Sequence, residues 1–448
     1  MFAFPAEILT EIGSHLDPSS QRTARLTSRA LNAALEPLVL RLFPLNVHLL
    51  SKSGALELMA DIVAGRSNWP RYAKTLQVLR RWDPKQGMAP EDEDVVKAKA
   101  AMLAQVLERM SGMRSIYWCI RDRDFVWMHT AVQGALMSFP MLENLDVQIM
   151  KPEILAVNIA AIRNLKTLTV TAYPTLYSEE VTSIEKQAAM VVAQSPGLVS
   201  LHLMHRDYDC VWTSLPADIP LTTLHTDSVT PGLLRYLASH SGMTDVDLYV
   251  HANSAAAANA LAATFFAAVL PRHAPTLVSL AFRSSYESHW SIGPQSIDVF
   301  RDLHLPRLTH LNVTVNKADL VDAAAEHNAV AMALNLIPRL PALKMLQIGY
   351  SSSEGTRRAR CGNPRLMHGR TMRDAISTAV ADFRTETDAG FAGVELRAWG
   401  SPSGVYELAP VPSASDGEAG PAWGFVARPL TPEQEAIAKQ VAPAVFLC

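Results

Sequence analysis

Reactive side chains are scattered along this sequence rather than gathered. His202 and His205 stand three apart, beside Asp207, Asp209 and Cys210. Imidazole, carboxylate and thiol at that spacing could ligate a metal or serve as base and nucleophile, provided that they converge. The local pattern argues against convergence: His202 lies between Leu201 and Leu203, the alternation of a strand with one half-exposed face. Cys119, Cys210, Cys361 and Cys448 form no CxxC pair, which argues against a structural zinc site and a disulfide framework. No dinucleotide, phosphate-loop, zincin, nucleophile-elbow or kinase motif occurs. Arg357, Arg358, Arg360, Arg365 and Arg370 make a local basic patch that could meet a phosphorylated segment, but a mobile insertion over 351–370 is the preferred reading. Glu91, Asp92, Glu93 and Asp94 come after a Pro- and Gly-containing stretch and read as a solvated turn into a helix. Trp290, Trp399 and Trp423 could stack on bases, yet no basic groove accompanies them. The expectation is a chain without catalytic residues, cofactor or metal.

Any functional surface must be carried by packed elements, and the composition supports them. Of 448 residues, 49% are hydrophobic and 19% charged, with a net charge of −3. That apolar mass excludes a mostly disordered chain, and the charge balance supplies no field for nucleic acid or an anionic membrane. No run of 18 uninterrupted apolar residues appears, and the alanine-rich 255–270 reads as a buried helix rather than a membrane span. Glu7, Glu11 and Asp17 near the start, without a basic n-region, argue against a secretory signal.

An apolar-x-x-apolar-x-apolar pattern recurs through the body. It reads Leu142, Leu145, Val147; then Leu165, Leu168, Val170; then Leu198, Leu201, Leu203. A weaker copy joins Leu221 to Leu224, and the pattern returns through Met243, Val246, Leu248; Leu277, Leu280, Phe282; Leu308, Leu311, Val313; and Leu343, Leu346, Ile348. Earlier candidates are Leu76 with Val78, and Met113, Ile116 and Trp118; a late one joins Val394 to Leu396. Residues two apart on a strand point to one side, so each copy predicts a short strand with a buried face. Intervening segments at 96–110, 130–139, 180–194, 231–240, 253–270 and 322–337 read as helices, closed by Pro-, Gly- or Ser-containing turns. Alternating strands and helices predict an α/β solenoid with parallel strands on one face and outer helices on the other, stable only by stacking. Several intervals between copies lie in or near the roughly 20–29 residues of leucine-rich repeats, and longer ones require insertions. A different open α/β fold is the alternative.

Ahead of the array, Pro5 opens a helix whose apolar face carries Ile8, Leu9, Ile12 and Leu16. A second helix is expected over about 20–34, and Pro37 interrupts the chain before the apolar run 38–42. Phe4, Pro5, Glu7, Ile8, Leu9, Ile12, Leu16, Asp17 and Pro18, together with the run 25–31 and Glu36, Pro37 and Leu38, resemble the F-box of fungal F-box proteins. Phe4 stands where leucine is usual, Ser20 and Gln21 where a Leu-Leu pair is common, and Leu31 where an aromatic is frequent. The repeat region similarly resembles the degenerate leucine-rich-repeat region of those proteins.

The resemblance implies a three-helix F-box-like module at 1–45 and a repeat array at 46–400; the Pro-, Gly-, Ser- and Ala-rich stretch that follows reads as a loop or linker at 401–428, and 429–448 as a C-terminal helix or cap for the open end of the array. It implies binding of a Skp1-like adaptor, and through it a cullin complex, by Pro5, Ile8, Leu9, Ile12 and Leu16, supported by Leu26 and Leu31. It implies a non-catalytic protein that binds an unknown target protein; the isolated thiols suit an intracellular protein of cytoplasm or nucleus, and the near-neutral charge offers nothing to nucleic acid or membrane. His202, Met204, His225, Asp247, Tyr249, Arg283 and Asn312, which lie between and after the core leucines, are the candidates for target recognition. The alternative is a repeat-based scaffold that works without Skp1; a third class is a divergent hydrolase built from scattered His, Asp and Cys.

Overall fold

Strands in this chain bury every second residue, and the apolar repeat is the trace of that burial. The computed structural model describes residues 4–46, 53–79, 92–121, 125–150, 157–173, 182–205, 207–216, 219–324, 327–357, 363–386, 388–398, 404–411 and 422–429. The chain forms two compact units, Met1–Ile219 and Pro220–Cys448.

The first unit opens with α1 (Ala6–Ser14), α2 (Pro18–Ala24) and α3 (Arg29–Val39). Asp17 caps α2 by accepting from the Ser19 and Ser20 amides, and the Ser20 and Ser19 hydroxyls hold its carboxyl well below the usual carboxylate range. Ser28, in an extended conformation, accepts from the Leu31 amide and starts α3. The single helix expected over 20–34 is therefore two helices, because Ser28 offers a cap in place of helix continuation. Pro37 lies inside the last turn of α3 and does not stop it; Leu40 N–H still reaches the Glu36 carbonyl. Helices α1 and α3 pack closely across Gly13, where a Cβ would come within 2.0 Å of Leu35 Cδ2.

Strands and helices then follow in this order: β1 (Leu42–Asn46), α4 (Ser53–Val63), α5 (Trp69–Tyr72), β2 (Thr75–Leu79), α6 (Glu93–Arg109), β3 (Ser115–Ile120), α7 (Val126–Leu136), β4 (Asn144–Ile149), β5 (Thr167–Ala172), α8 (Thr182–Ala193), β6 (Ser200–Met204) and α9 (Asp209–Ser214). The strands lie parallel in chain order. Phe43, Leu76, Ile116, Leu145, Leu168 and Leu201 fall opposite one another and are all buried. The sheet thus begins at β1, inside the segment assigned from sequence to the helical module.

The second unit contains β7 (Thr223–Thr226), α10 (Pro231–Ser239), β8 (Asp245–Val250), α11 (Ala255–Thr264), a π-helical segment (Phe265–Val269), α12 (Leu270–His273), β9 (Ser279–Ser284), α13 (Pro294–Asp302), β10 (His310–Val315), α14 (Ala329–Leu334), β11 (Met345–Tyr350), α15 (Asn363–Asp382), β12 (Glu395–Ala398), β13 (Val405–Val411) and β14 (Ala422–Ala427). Strands β7 to β12 are parallel, with Leu224, Val246, Leu280, Leu311, Leu346 and Leu396 in one buried row. The last member is Leu396 rather than Val394, which precedes its strand.

The two residues between the first and second leucines of each copy make the seams. Main-chain donors at the start of each strand reach one carbonyl of the preceding copy: Lys166 and Thr167 to Glu143, Val199 and Ser200 to Lys166, Val278 and Ser279 to Thr244, Lys344 and Met345 to Thr309.

Three expectations are corrected in this unit. Residues 322–324 are not helical, His327 is 3₁₀, and the expected 322–337 helix is reduced to α14, where Asn328 accepts from the Val330 and Ala331 amides as its cap. The expected insertion at 351–370 gives way, from Asn363, to the 20-residue α15, which buries Met372, Ile376 and Val380 at spacings of one turn. The segment expected as a linker at 401–428 supplies β13 and β14, antiparallel to each other, with β13 also antiparallel to β12. Tyr406 and Phe425 anchor this hairpin: Tyr406 Oη lies 2.9 Å from Ser377 Oγ, and Phe425 packs on Phe383 and Phe391. Pro410 is tolerated because β13 pairs with β12 only at Val405 and Tyr406. The helix expected at 429–448 lies, apart from its first residue, outside the described residues.

The continuous helix Ala255–His273 is long and apolar enough to cross a membrane by length and composition alone. Its bulky residues Phe265, Phe266, Val269 and Leu270 are already buried, and much of its remaining apolar character is alanine. Pro271 has no N–H to donate, and the widened π turn lies immediately before α12, which contains it.

At the end of this helix, His273 is buried, with Nε2–H directed at the Leu237 carbonyl at 2.9 Å and Nδ1 accepting from the Met243 amide at 3.3 Å. Protonation would turn Nδ1 into a donor facing another donor. Burial accordingly pushes its pKa down to about 4, from an ordinary 6.5. Because the unfolded chain takes up the proton first, the stabilisation is complete above pH 6.5 and is lost as pH falls toward 4; two and a half pH units correspond to about 3 kcal/mol. Denaturant unfolding across this window should show that slope in the parent and a shallower one in H273Q. Identical slopes would exclude His273 as its source.

Candidate functional site

Two surfaces are left open once the cores are filled. On α1, Ile8 and Ile12 lie one turn apart on one stripe of helix surface, with the exposed Phe4 just before the helix and Leu16 just after it. Ile8 is 46% exposed and Ile12 52%, whereas Gly13, which meets α3, is buried. Pro5, Ile8, Ile12, Leu16 and Leu26 are exposed; Leu9 and Leu31 are half-buried. Leu26, 82% exposed, lies just past α2 and borders a cleft of about 540 Å³ whose apolar lining includes Val39, Leu40, Leu58 and Trp69. Its rim mixes Arg22, Arg25 and Arg66 with Glu36 and Asp61, and the Arg66 guanidinium pairs with Asp61 at 2.7 Å.

The second surface is the strand side opposite the leucines. In the first unit its central row reads Gln77, Tyr117, Asp146, Thr169 and His202, residue opposite residue. In the second unit it reads His225, Asp247, Ala281, Asn312, Gln347 and Arg397. His202, Met204, His225, Asp247, Tyr249, Arg283 and Asn312 are therefore all strand residues of this side, half-buried in alternation with the core.

The second unit neutralises its own charges. Arg283 donates to both Asp247 oxygens at 2.7 and 2.8 Å and lies over the Tyr249 ring. His225 sits 3.2 Å from the Asp245 carboxylate, and this bond raises its pKa against the opposing effect of burial. Arg397 pairs with Glu395 at 2.6 Å.

The first unit is different. Asp146 is the one formally charged residue among the described residues of β2 to β6 on this side. Its Oδ1 is closed off from solvent and has no hydrogen-bond donor, while the Gln148 side chain bonds the carboxyl. Burial outweighs that bond and pushes its pKa up. Further along the same side, Met150 and Tyr173 are exposed, and Tyr173 stacks on His205 with ring centroids 4.4 Å apart. His205 holds φ at +69°, outside the usual region for a residue with a side chain. Sequence reasoning misses Asp146, Tyr117, Gln148, Met150 and Tyr173; the signal that could find the first of them lies in the polar members of the alternation 144–150.

The histidine cluster does not assemble. His202 bonds Ser200 Oγ at 3.1 Å, His205 lies on Tyr173, and the Asp207 carboxylate accepts from the Asp209 amide. Burial, with the Glu185 charge nearby, pushes the Cys210 thiol up, away from nucleophilic use. Among the described residues no group of three His, Cys, Asp or Glu side chains could hold a metal ion. Arg357 is committed to bracing: it pairs with Glu354, donates to the Ala252 carbonyl and stacks 4.0 Å over the Tyr286 ring. Arg358 and Arg360 lie outside the described residues. Trp290 is fully buried with its indole N–H on the Ala258 carbonyl, so it is not a base-stacking platform. Asp92 caps α6 through the Asp94 amide.

No family model matches this chain, and no curated protein matches it. Among solved structures it is similar to one chain of the crystal structure of the Rad7 and Elc1 complex in yeast. The two share 12% identity at a TM-score of 0.39, over 80% of this chain and 91% of that one.

Proposed function

We propose that this chain is a non-catalytic substrate-recognition subunit of an SCF-type ubiquitin ligase. Pro5, Ile8, Leu9, Ile12 and Leu16, supported by Leu26 and Leu31, dock a Skp1-like adaptor that in turn holds a cullin. The strand side of the repeat array holds the target protein. Catalysis in such an assembly is proximity, with the reacting groups supplied by other subunits.

The observation that supports this reading is the unfilled apolar stripe on α1. A helix that merely capped the array would turn its isoleucines inward, but Ile8 and Ile12 are about half exposed while α1 meets α3 through Gly13. Purified full-length chain is mixed with recombinant Skp1 and separated by size; co-elution is expected. Failure of the folded chain to co-elute while it retains another protein partner would favour the Skp1-independent scaffold.

A further inference from the structure

We infer that the strand side of the first unit recognises an extended protein segment bearing one lysine or arginine, with Asp146 as counter-ion, and an aromatic or aliphatic side chain that rests on the Tyr173–His205 ledge. This rests on the reading of the strand side as the target-binding surface and gives that target a chemistry.

Charge carries the first half. Asp146 sits in mid-row between Tyr117 and Thr169, on a face otherwise built from neutral groups such as Ser115, Asn144, Thr167 and Thr171. In the second unit the mid-row acid Asp247 has a basic neighbour on the same face, Arg283. No ion pair joins Asp146 to a cation among the described residues; Arg121, which follows β3, reaches Cys119 Sγ and acts on Tyr117. A half-buried carboxylate is costly in the free chain, and a cation bound beside it relieves that cost. A nucleic acid, with its phosphate charge, is repelled by the same group.

Shape carries the second half. Asp146, Gln148 and Met150 share a side by strand alternation, as do Thr169, Thr171 and Tyr173. Tyr173 lies four residues beyond the partner of Asp146, one strand over, which places ledge and carboxylate about 14 Å apart. An extended peptide covers that distance in about four residues. The positive φ of His205 accompanies a ring set onto Tyr173, a strained conformation that serves an exposed stack.

The test is selection of a random peptide display library on the full-length chain, followed by affinity measurement with one synthesised winner. Winners should carry Lys or Arg about four positions from an aromatic or aliphatic residue. Affinity should fall about tenfold on D146N, and equally when the basic residue becomes glutamine, with no further loss when both changes are combined. H205G removes the ring and the positive-φ strain together, so it should weaken binding without lowering stability. Adaptor co-elution should survive D146N, and peptide binding should survive glutamates at positions 8 and 12, which separates this inference from adaptor docking. It is overturned if no peptide is enriched, if winners lack the basic residue, if D146N binds as the parent does, or if a single-stranded oligonucleotide displaces the winner.

Discussion

Glutamates introduced together at Ile8 and Ile12 should reduce Skp1 binding by about a thousandfold and leave thermal unfolding unchanged. Burying the exposed half of each isoleucine in an interface is worth about 1 to 2 kcal/mol, and a carboxylate forced into the same contact adds a desolvation cost. A combined loss of about 4 kcal/mol is a factor of about a thousand. Stability should hold because both side chains are about half exposed and α1 keeps its contact with α3 through Gly13. Glutamate is also at least as good a helix former as isoleucine. Leu9 is the wrong target for this test, since it is half-buried and its loss would disturb the module itself. Titration calorimetry with the full-length chain decides the matter; a double variant that binds Skp1 like the parent removes α1 as the docking face.

The largest loss of stability is expected from Phe282→Ala. Phe282 is fully buried and in register with Leu248 and Val313. Its ring stacks on Phe300 at 5.6 Å and stands edge-on to Phe266 at 5.5 Å, with Phe265 at 6.3 Å. Truncation removes transfer energy, leaves a cavity and breaks these ring pairs, for a total of about 4 kcal/mol. Phe282→Leu, which keeps most of the volume, should cost about 1 kcal/mol. Denaturant unfolding measures both, and amide exchange should accelerate first in β8 to β10. Equal stability of the two variants would mean that the loss comes from the ring contacts and not from the cavity.

The rows of buried leucines are legible in the sequence because a strand's side-chain period is two and its partners repeat the same motif. Leu145, Leu168 and Leu201, or Leu280, Leu311 and Leu346, need no further information to be placed in one core. The helix α15 is hidden because Met372, Ile376 and Val380 are diluted by Arg365, Arg370, Arg373 and Asp374, so that an arginine-rich composition masks the apolar spacing. The hairpin β13–β14 is hidden for a different reason: Pro410, Gly424 and several alanines imitate a linker, and its two anchors, Tyr406 and Phe425, bury themselves against residues distant in sequence. On the α1 stripe the sequence identifies which residues are apolar, but the division into outward Ile8 and Ile12 and half-buried Leu9 depends on where α3 lies. Asp146 can be located on a strand from its neighbours, yet its lack of a paired cation among the described residues is a property of three adjacent strands and no single segment displays it.

The seams between copies consist of main-chain amides meeting main-chain carbonyls, as at Lys166 and Glu143 or Val278 and Thr244. Such a joint does not depend on which side chains flank it. A lineage carrying this scaffold is free to rewrite nearly every outward residue, provided that the inward side chains of each strand stay apolar and in line. Divergence beyond recognition by sequence is then the ordinary fate of such a chain, and two proteins of this construction can keep their architecture long after sharing any readable text.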